Sequence, residues 1–366
     1  MHTAIAIAAG GGGDAITAAV LAAAMPELRI NAIMSFSWDR FMIDPTPGPR
    51  IRTDFEGWVD RGGVAEITSR SRLRTGHSTL PSLSVRIGLP LLLLEADQGA
   101  VGLARTITLA ANEFSADQLV VVDVGGDILA EGHEPELRTP LADSLTLAAA
   151  VQTGIDTRVL VAALGLDGEL SPIELRPRLD RLNAFVLREL GAADVMPFDD
   201  VWTWHPSEAS GMLATAAKGW RGAVETQRNA LIHISGDASL VYEVDAPKLA
   251  DTSLAASVAT TTSLDQAEQV LRECRSGLSE LDIERRRAAG EHAKALTPTL
   301  KSLRIVDDYA AQARGRGADA LTIRRVAELL SAIDPSAGDI LRRLLARHRP
   351  DQFRPPLYTT TSGRTI

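Results

Sequence analysis

Three features of the sequence point to an α/β fold. Short apolar runs recur over the first 250 residues, most followed by glycine, acidic residues and a helical pattern. These runs are apolar at successive positions, the pattern of strands buried on both faces. A glycine-rich turn joins the first run to the first helix. Together they predict a Rossmann-like, mainly parallel sheet with helices on both faces. A change of texture near residue 250 adds a C-terminal helical appendage.

Residues 3–9 form the first apolar run, four glycines and Asp14 follow, and 15–25 are good helix formers. That reads strand, turn, helix. Residues 31–36 make a second strand, and the runs at 89–94, 119–124 and 158–164 make three more. Helical spacing at 100–112, 140–151 and 172–190 supplies the covering layers. Residues 231–234 and 240–244, joined through Gly236-Asp237, are expected to close the sheet edge as a hairpin. Residues 1–250 thus form a ligand-binding domain. Residues 251–263 are rich in Thr, Ser and Ala, a linker or a capped helix start. Helical spacing returns at 264–276, 278–294, 300–313 and 321–333, so 251–349 is a helical region. Residues 350–366, with three prolines, read as an extended tail.

Hydrophobic residues at 45% and charged residues at 23% are the balance of a soluble globular protein. The single cysteine, Cys274, excludes an internal disulfide and a multi-thiolate zinc site, and suggests a cytoplasmic protein. A net charge of −9 and 4% aromatics argue against nucleic acid as a partner. No apolar run reaches the roughly 20 residues that span a bilayer, and the N-terminus lacks the basic start of a signal peptide. A small-molecule substrate is the expected partner, and a homo-oligomer is compatible with the composition.

The first candidate site is Gly10-Gly11-Gly12-Gly13-Asp14-Ala15, which satisfies G-x-G-x-x-A between a strand and a helix. Such glycines let the backbone approach a ligand, and the helix N-terminus offers N–H groups to an anion. Asp14 lies where a pyrophosphate would rest, which disfavours a nicotinamide cofactor. The competing reading is a tight turn with Asp14 as a cap. The second candidate is 122–127, where an apolar strand ends in Asp123, turns through Gly125 and Gly126, and reaches Asp127. Carboxylates at this spacing, Asp123 and Asp127, suit Mg2+ or Mn2+, a cationic substrate group, or acid/base work. An Asx turn with a helix cap would also explain them. Asp167 and Glu169 follow the next strand, and Glu95 and Asp97 follow 89–94. Acids at so many strand ends suggest an acidic cleft at the C-terminal edge of the sheet. Glu134 and Glu208 are second-rank acid/base candidates, Glu208 doubling as a first-turn helix acid. Arg40 and Arg50, in a proline-rich loop, are candidate clamps for a phosphate or carboxylate, or parts of a structural lid.

Gly10 to Asp14, Trp38-Asp39-Arg40 with Asp44-Pro45 and Pro47-Gly48-Pro49, 122–127 with Glu134, Pro140-Leu141-Ala142-Asp143, 165–170 and Ser207-Glu208-Ala209-Ser210 occur in one order. In this the chain resembles the domain-of-unknown-function 1152 family over about residues 3–245. That resemblance implies no activity. From the residues, the expected function is hydrolysis or group transfer on a nucleotide or other phosphate-bearing metabolite. The alternative is a non-catalytic regulatory protein that binds such a ligand.

Overall fold

The computed structural model describes residues 2–361 apart from 228, 229, 276, 278 and 291–294. Its strands are, in chain order, β1 (Ala4–Ala8), β2 (Ile30–Phe36), β3 (Phe55–Glu56), β4 (Val59–Arg61), β5 (Val64–Ile67), β6 (Arg72–Leu73), β7 (Leu91–Leu94) and β8 (Gln118–Val124). There follow β9 (Asp156–Ala162), β10 (Phe185–Glu189), β11 (Gly222–Glu225), β12 (Leu231–Ile234), β13 (Leu240–Asp245), β14 (Ala320–Thr322), β15 (Phe353–Arg354) and β16 (Leu357–Thr359).

Nine strands form the central sheet, in the order β10-β13-β9-β8-β1-β2-β7-β5-β4. Its centre, β9-β8-β1-β2-β7, is parallel. Both flanks are antiparallel: β13 and β10 on one side, β5 and β4 on the other. The sheet is therefore mixed rather than mainly parallel. A parallel pair needs a long crossover, whereas β4 and β5 are joined by Gly62-Gly63, both at positive φ, a turn that only an antiparallel pair accepts.

Alternate residues of the central strands serve opposite faces. Ile5 and Ile7 of β1, Leu119 and Val121 of β8, and Leu92 and Leu94 of β7 join one apolar layer with helices Gly99–Glu113 and Leu141–Gln152. Ala4, Ala6 and Ala8 face the other layer, where small side chains admit the alanine-rich helix Gly12–Ala24. Helices Leu80–Ile87 and Glu208–Ala217 complete that side. Full burial of each branched side chain contributes about 1.5–3 kcal/mol.

Two expected elements differ. Residues 231–234 and 240–244 do not pair with each other. β13 enters the central sheet beside β9, where Glu243 accepts hydrogen bonds from Arg158 at 2.8 and 2.6 Å. β12 pairs with β11 in a second, five-stranded sheet, ordered β12-β11-β14-β16-β15. The helix expected over 172–190 stops as Pro172–Arg181, because Asn183 adopts a left-handed conformation (φ 54°) and β10 follows.

Residues after 250 divide between two cores. Leu254, Ala255, Val258, Ala267, Leu271 and Leu281 are buried in the apolar layer of the central sheet. A separate cluster joins helices Ser302–Gly315, Ile323–Leu329 and Pro335–His348. Parallel pairing of β14 with β11 fixes this region to the rest. The segment read as an extended tail forms the antiparallel pair β15–β16 within the second sheet, with Leu357, Tyr358 and Thr359 buried; 362–366 lie outside the described residues. Among the described residues no helix is long and apolar enough to cross a membrane.

Candidate functional site

The parallel strands β9, β8, β1 and β2 all end at the same edge, so the loops after them meet. Backbone bonds stitch two of these loops: Gly125 N–H donates to Ala162 O at 3.0 Å and Gly165 N–H to Gly125 O at 2.7 Å. Gly125 sits at φ 133°, and a Cβ there would lie 2.6 Å from the Asp167 carboxyl. Glycine is thus what lets the β8 loop press against Asp167. Gly125 and Gly126 shape this turn but do not line the pocket.

The pocket over this edge encloses about 1040 Å³, open solvent included. Of the residues singled out from the sequence, Gly10 to Gly13, Asp14, Arg40, Asp127, Asp167, Glu169 and Glu208 line it. Asp123 lies just behind, fully buried, with Oδ1 accepting the Ile128 N–H at 3.3 Å and Oδ2 without a hydrogen-bond partner among the described residues. Oxygens of Asp123, Asp127 and Asp143 lie within 4.8 Å of one another, as do those of Asp127, Asp167 and Glu169. Asp127 belongs to both groups.

Crowding raises these carboxyl pKa values. Burial, then the charges of Asp143 and Asp123, push Asp127 well above the ordinary range. Burial also raises Asp143 and Asp167 strongly, with Asp123 and Glu169 respectively the next causes. Burial lifts Asp123 to about 7, and burial with the Asp123 charge lifts Asp14 to about 8. Asp143 Oδ1 is buried without a hydrogen-bond partner among the described residues and faces the same pocket. Buried carboxylates left unpaired in this way must keep a proton or take up a cation.

The glycine loop is less open than its motif implied. Gly10 N–H donates to Asp14 Oδ2 at 2.9 Å, so the carboxylate occupies that donor itself. A Cβ on Gly11 would lie 2.7 Å from the Trp38 carbonyl oxygen, and one on Gly12 would lie 2.8 Å from Thr79 Oγ1. These glycines therefore make room for the loop after β2 and for helix Leu80–Ile87.

Three expected site residues lie elsewhere. Arg50 is buried in an ion pair with Asp44, its Nε donating to Oδ2 at 2.6 Å. Glu134 accepts N–H bonds from Glu131 and Gly132, both at 2.8 Å, and pairs with the buried Arg178. Glu95 ends its strand as expected, but Arg52 Nε donates to it at 2.6 Å and it does not reach the pocket. Each acid or base found a structural partner that no local pattern reveals.

Conversely, several lining residues escaped prediction. Asp143 starts helix Leu141–Gln152 and was visible only within the Pro140 to Asp143 motif. Glu280 and Glu284 come from helix Glu280–Ala288, spaced four apart on one helical face. Glu284 accepts from Trp38 Nε1 at 2.9 Å and from Gly48 N–H at 2.8 Å. Arg324, from helix Ile323–Leu329, lies 3.6 Å from Glu208. Burial lowers the pKa of His205, another lining residue, to about 3, so it is neutral.

Fold and site thus define an α/β protein with a carboxylate-rich pocket at the C-terminal edge of its parallel strands. The chain matches the family described as "Protein of unknown function (DUF1152)" over residues 5–288, and it belongs to that family. The match runs past the 245 suggested by the motifs and takes in Glu280 and Glu284. Comparison with curated proteins and with solved structures gives no match.

Proposed function

We propose that the protein is an enzyme that hydrolyses, or transfers a group from, a small phosphate-bearing metabolite such as a nucleotide. The observation that carries this reading is the place of Asp127 between two carboxylate groups at the pocket floor. Asp123, Asp127 and Asp143 would hold one divalent cation, Mg2+ or Mn2+; Asp127, Asp167 and Glu169 suit a second. A cation held there would supply Lewis-acid chemistry, polarising a phosphoryl oxygen and lowering the pKa of its bound water. Asp14, whose carboxyl pKa burial holds well above the usual range, stands beside the loop in the place of a general acid for a leaving group.

The strand order supports a Rossmann-like reading. Numbered as the chain visits them, the parallel strands lie 5-4-1-2-3, with the order reversing between β1 and β8. Ligands of open α/β sheets bind at that switch point, and Gly10 to Asp14 and Asp127 flank it.

The test is incubation of the full chain with a metabolite extract, with Mg2+, with Mn2+ or with EDTA, followed by mass spectrometry. The proposal predicts metal-dependent loss of one phosphate-bearing compound and gain of its product. A compound retained by the protein and never consumed would favour the regulatory, non-catalytic reading instead.

A further inference from the structure

We propose that the outer part of the pocket is an oxyanion-binding vestibule, where Arg40, Arg138, Arg287 and Arg324 hold a phosphate or carboxylate of the substrate remote from the reacting bond. The inference rests on the reading of this pocket as a substrate site, and it moves the anion away from the glycine loop. Gly10 N–H is already taken by Asp14.

A cavity of about 640 Å³, open solvent included, continues from the acidic floor and is lined by these four arginines. They come from four separate segments: the loop after β2, the loop before helix Leu141–Gln152, helix Glu280–Ala288 and helix Ile323–Leu329. Arg40 is solvent-exposed and Arg287 half-buried, and the guanidinium group of neither makes a hydrogen bond or an ion pair among the described residues. Arg324 is buried, in ion pairs with Glu208 at 3.6 Å and Glu328 at 4.0 Å. Arg138 reaches the exposed Glu136 at 2.9 Å.

Carboxylates around the same cavity act on Arg40 only as charges at longer range: against the effect of burial, Glu169, Glu284, Glu208 and Glu280 hold its pKa up, yet none of them bonds to it. Glu169 accepts the Arg138 N–H, the Thr139 N–H and the Thr139 hydroxyl at 2.6, 2.9 and 2.7 Å. Glu284 is held by Trp38 and Gly48, and Glu280 accepts the Leu141 N–H at 3.3 Å. Burial brings the Arg324 pKa down to about 10; Glu208 and Glu328 oppose the fall, and the nearby charges of Arg40 and Arg287 add to it. The Arg40 and Arg287 guanidinium forks, which share a cavity without a bonded acceptor, suit a tetrahedral or planar oxyanion, and Arg138 and Arg324 add positive charge beside them. The pocket then has two ends, a cation-binding floor and an anion-binding rim, and suits a metabolite with an anionic group at some distance from the bond that reacts.

The test titrates inorganic phosphate, and separately acetate, into the full chain in EDTA by calorimetry. Wild type should bind phosphate, acetate or both, more weakly as salt is added. Arg40→Gln and Arg287→Gln should each weaken binding about tenfold. Arg40→Lys and Arg287→Lys, which keep the charge but lose the fork, should fall between, and they decide the matter if a Gln variant fails to fold. Binding of phosphate alone or acetate alone assigns the oxyanion. Wild type that binds neither probe at millimolar concentration, or variants that bind as wild type does, would overturn the vestibule. Mn2+ binding by the same proteins separates the two proposals. Arginine-dependent phosphate binding without Mn2+ binding keeps the vestibule and rejects the metal floor. Mn2+ binding with phosphate affinity unchanged in the variants rejects the vestibule alone.

Discussion

Asp127 faces Asp143, Asp123, Asp167 and Glu169 in a buried setting, so its charged form is disfavoured unless a cation is present. Asp127→Asn keeps the volume and mimics the protonated acid. It should weaken Mn2+ binding about a hundredfold or more, with the melting temperature unchanged near pH 5 and unchanged or raised at pH 8. A structural cap would behave otherwise, since asparagine caps about as well and metal affinity would survive. Asp14 and Asp123 give the pH dependence. Their folded pKa values of about 8 and about 7 lie above the ordinary 3.8. Between these limits the folded state binds more protons than the unfolded one, so stability is present at low pH and lost as pH rises from about 4 to about 8. Thermal melts of the metal-free protein across that range should show the fall, and Mn2+ should reverse it at the upper end. Asp123, Asp127 and Asp167 were legible because they end buried strands, where parallel topology forces convergence. Asp143, Glu280 and Glu284 were not, since helix residues reach a pocket only through tertiary packing. Arg50 and Glu134 looked functional because Asp44 and Arg178, their partners, carry no local signal.

Strand existence was plain wherever the run was apolar on both faces, as in β1, β7, β8 and β9. Strand partners were less plain. β12 and β13 are adjacent in sequence and look like a hairpin, yet the central sheet offers β13 a buried neighbour in β9 and a partner for Glu243 in Arg158. Residues 251–263 read as a linker or a capped helix start; Ser263 caps the helix Leu264–Cys274, and Leu254, Ala255 and Val258 are buried against the central layer. Limited proteolysis should therefore spare this stretch under native conditions; early cleavage between Asp251 and Ser263 would contradict the packing. The turn after β1 makes a sharper test. Gly12 stands against Thr79, Leu80 and Leu83 of the neighbouring helix region, so Gly12→Val overpacks that contact. A loss of about 1–3 kcal/mol in denaturant unfolding is expected, and wild-type stability would show that the helix can yield.

At the scale of the whole molecule, the pocket joins parts that look independent in sequence. The central sheet supplies the acidic floor. Glu280 and Glu284 arrive from a helix beyond the expected domain limit, and Arg324 from the region packed around the second sheet. The family match ends at residue 288, before Arg324, so the C-terminal region adds to the pocket from outside the matched span. Composition revealed the class of protein; the convergence of three regions on one cavity depends on long-range pairing such as β11 with β14, which no local pattern encodes. The central claim is that the pocket floor holds a divalent cation between the carboxylates around Asp127. Its most direct measurement is Mn2+ titration followed by electron paramagnetic resonance at pH 8, on wild type and Asp127→Asn. Wild type should bind Mn2+ and release protons as it does so, and Asp127→Asn should leave the metal free in solution. Free Mn2+ with wild type, or equal binding by the variant, would contradict the account.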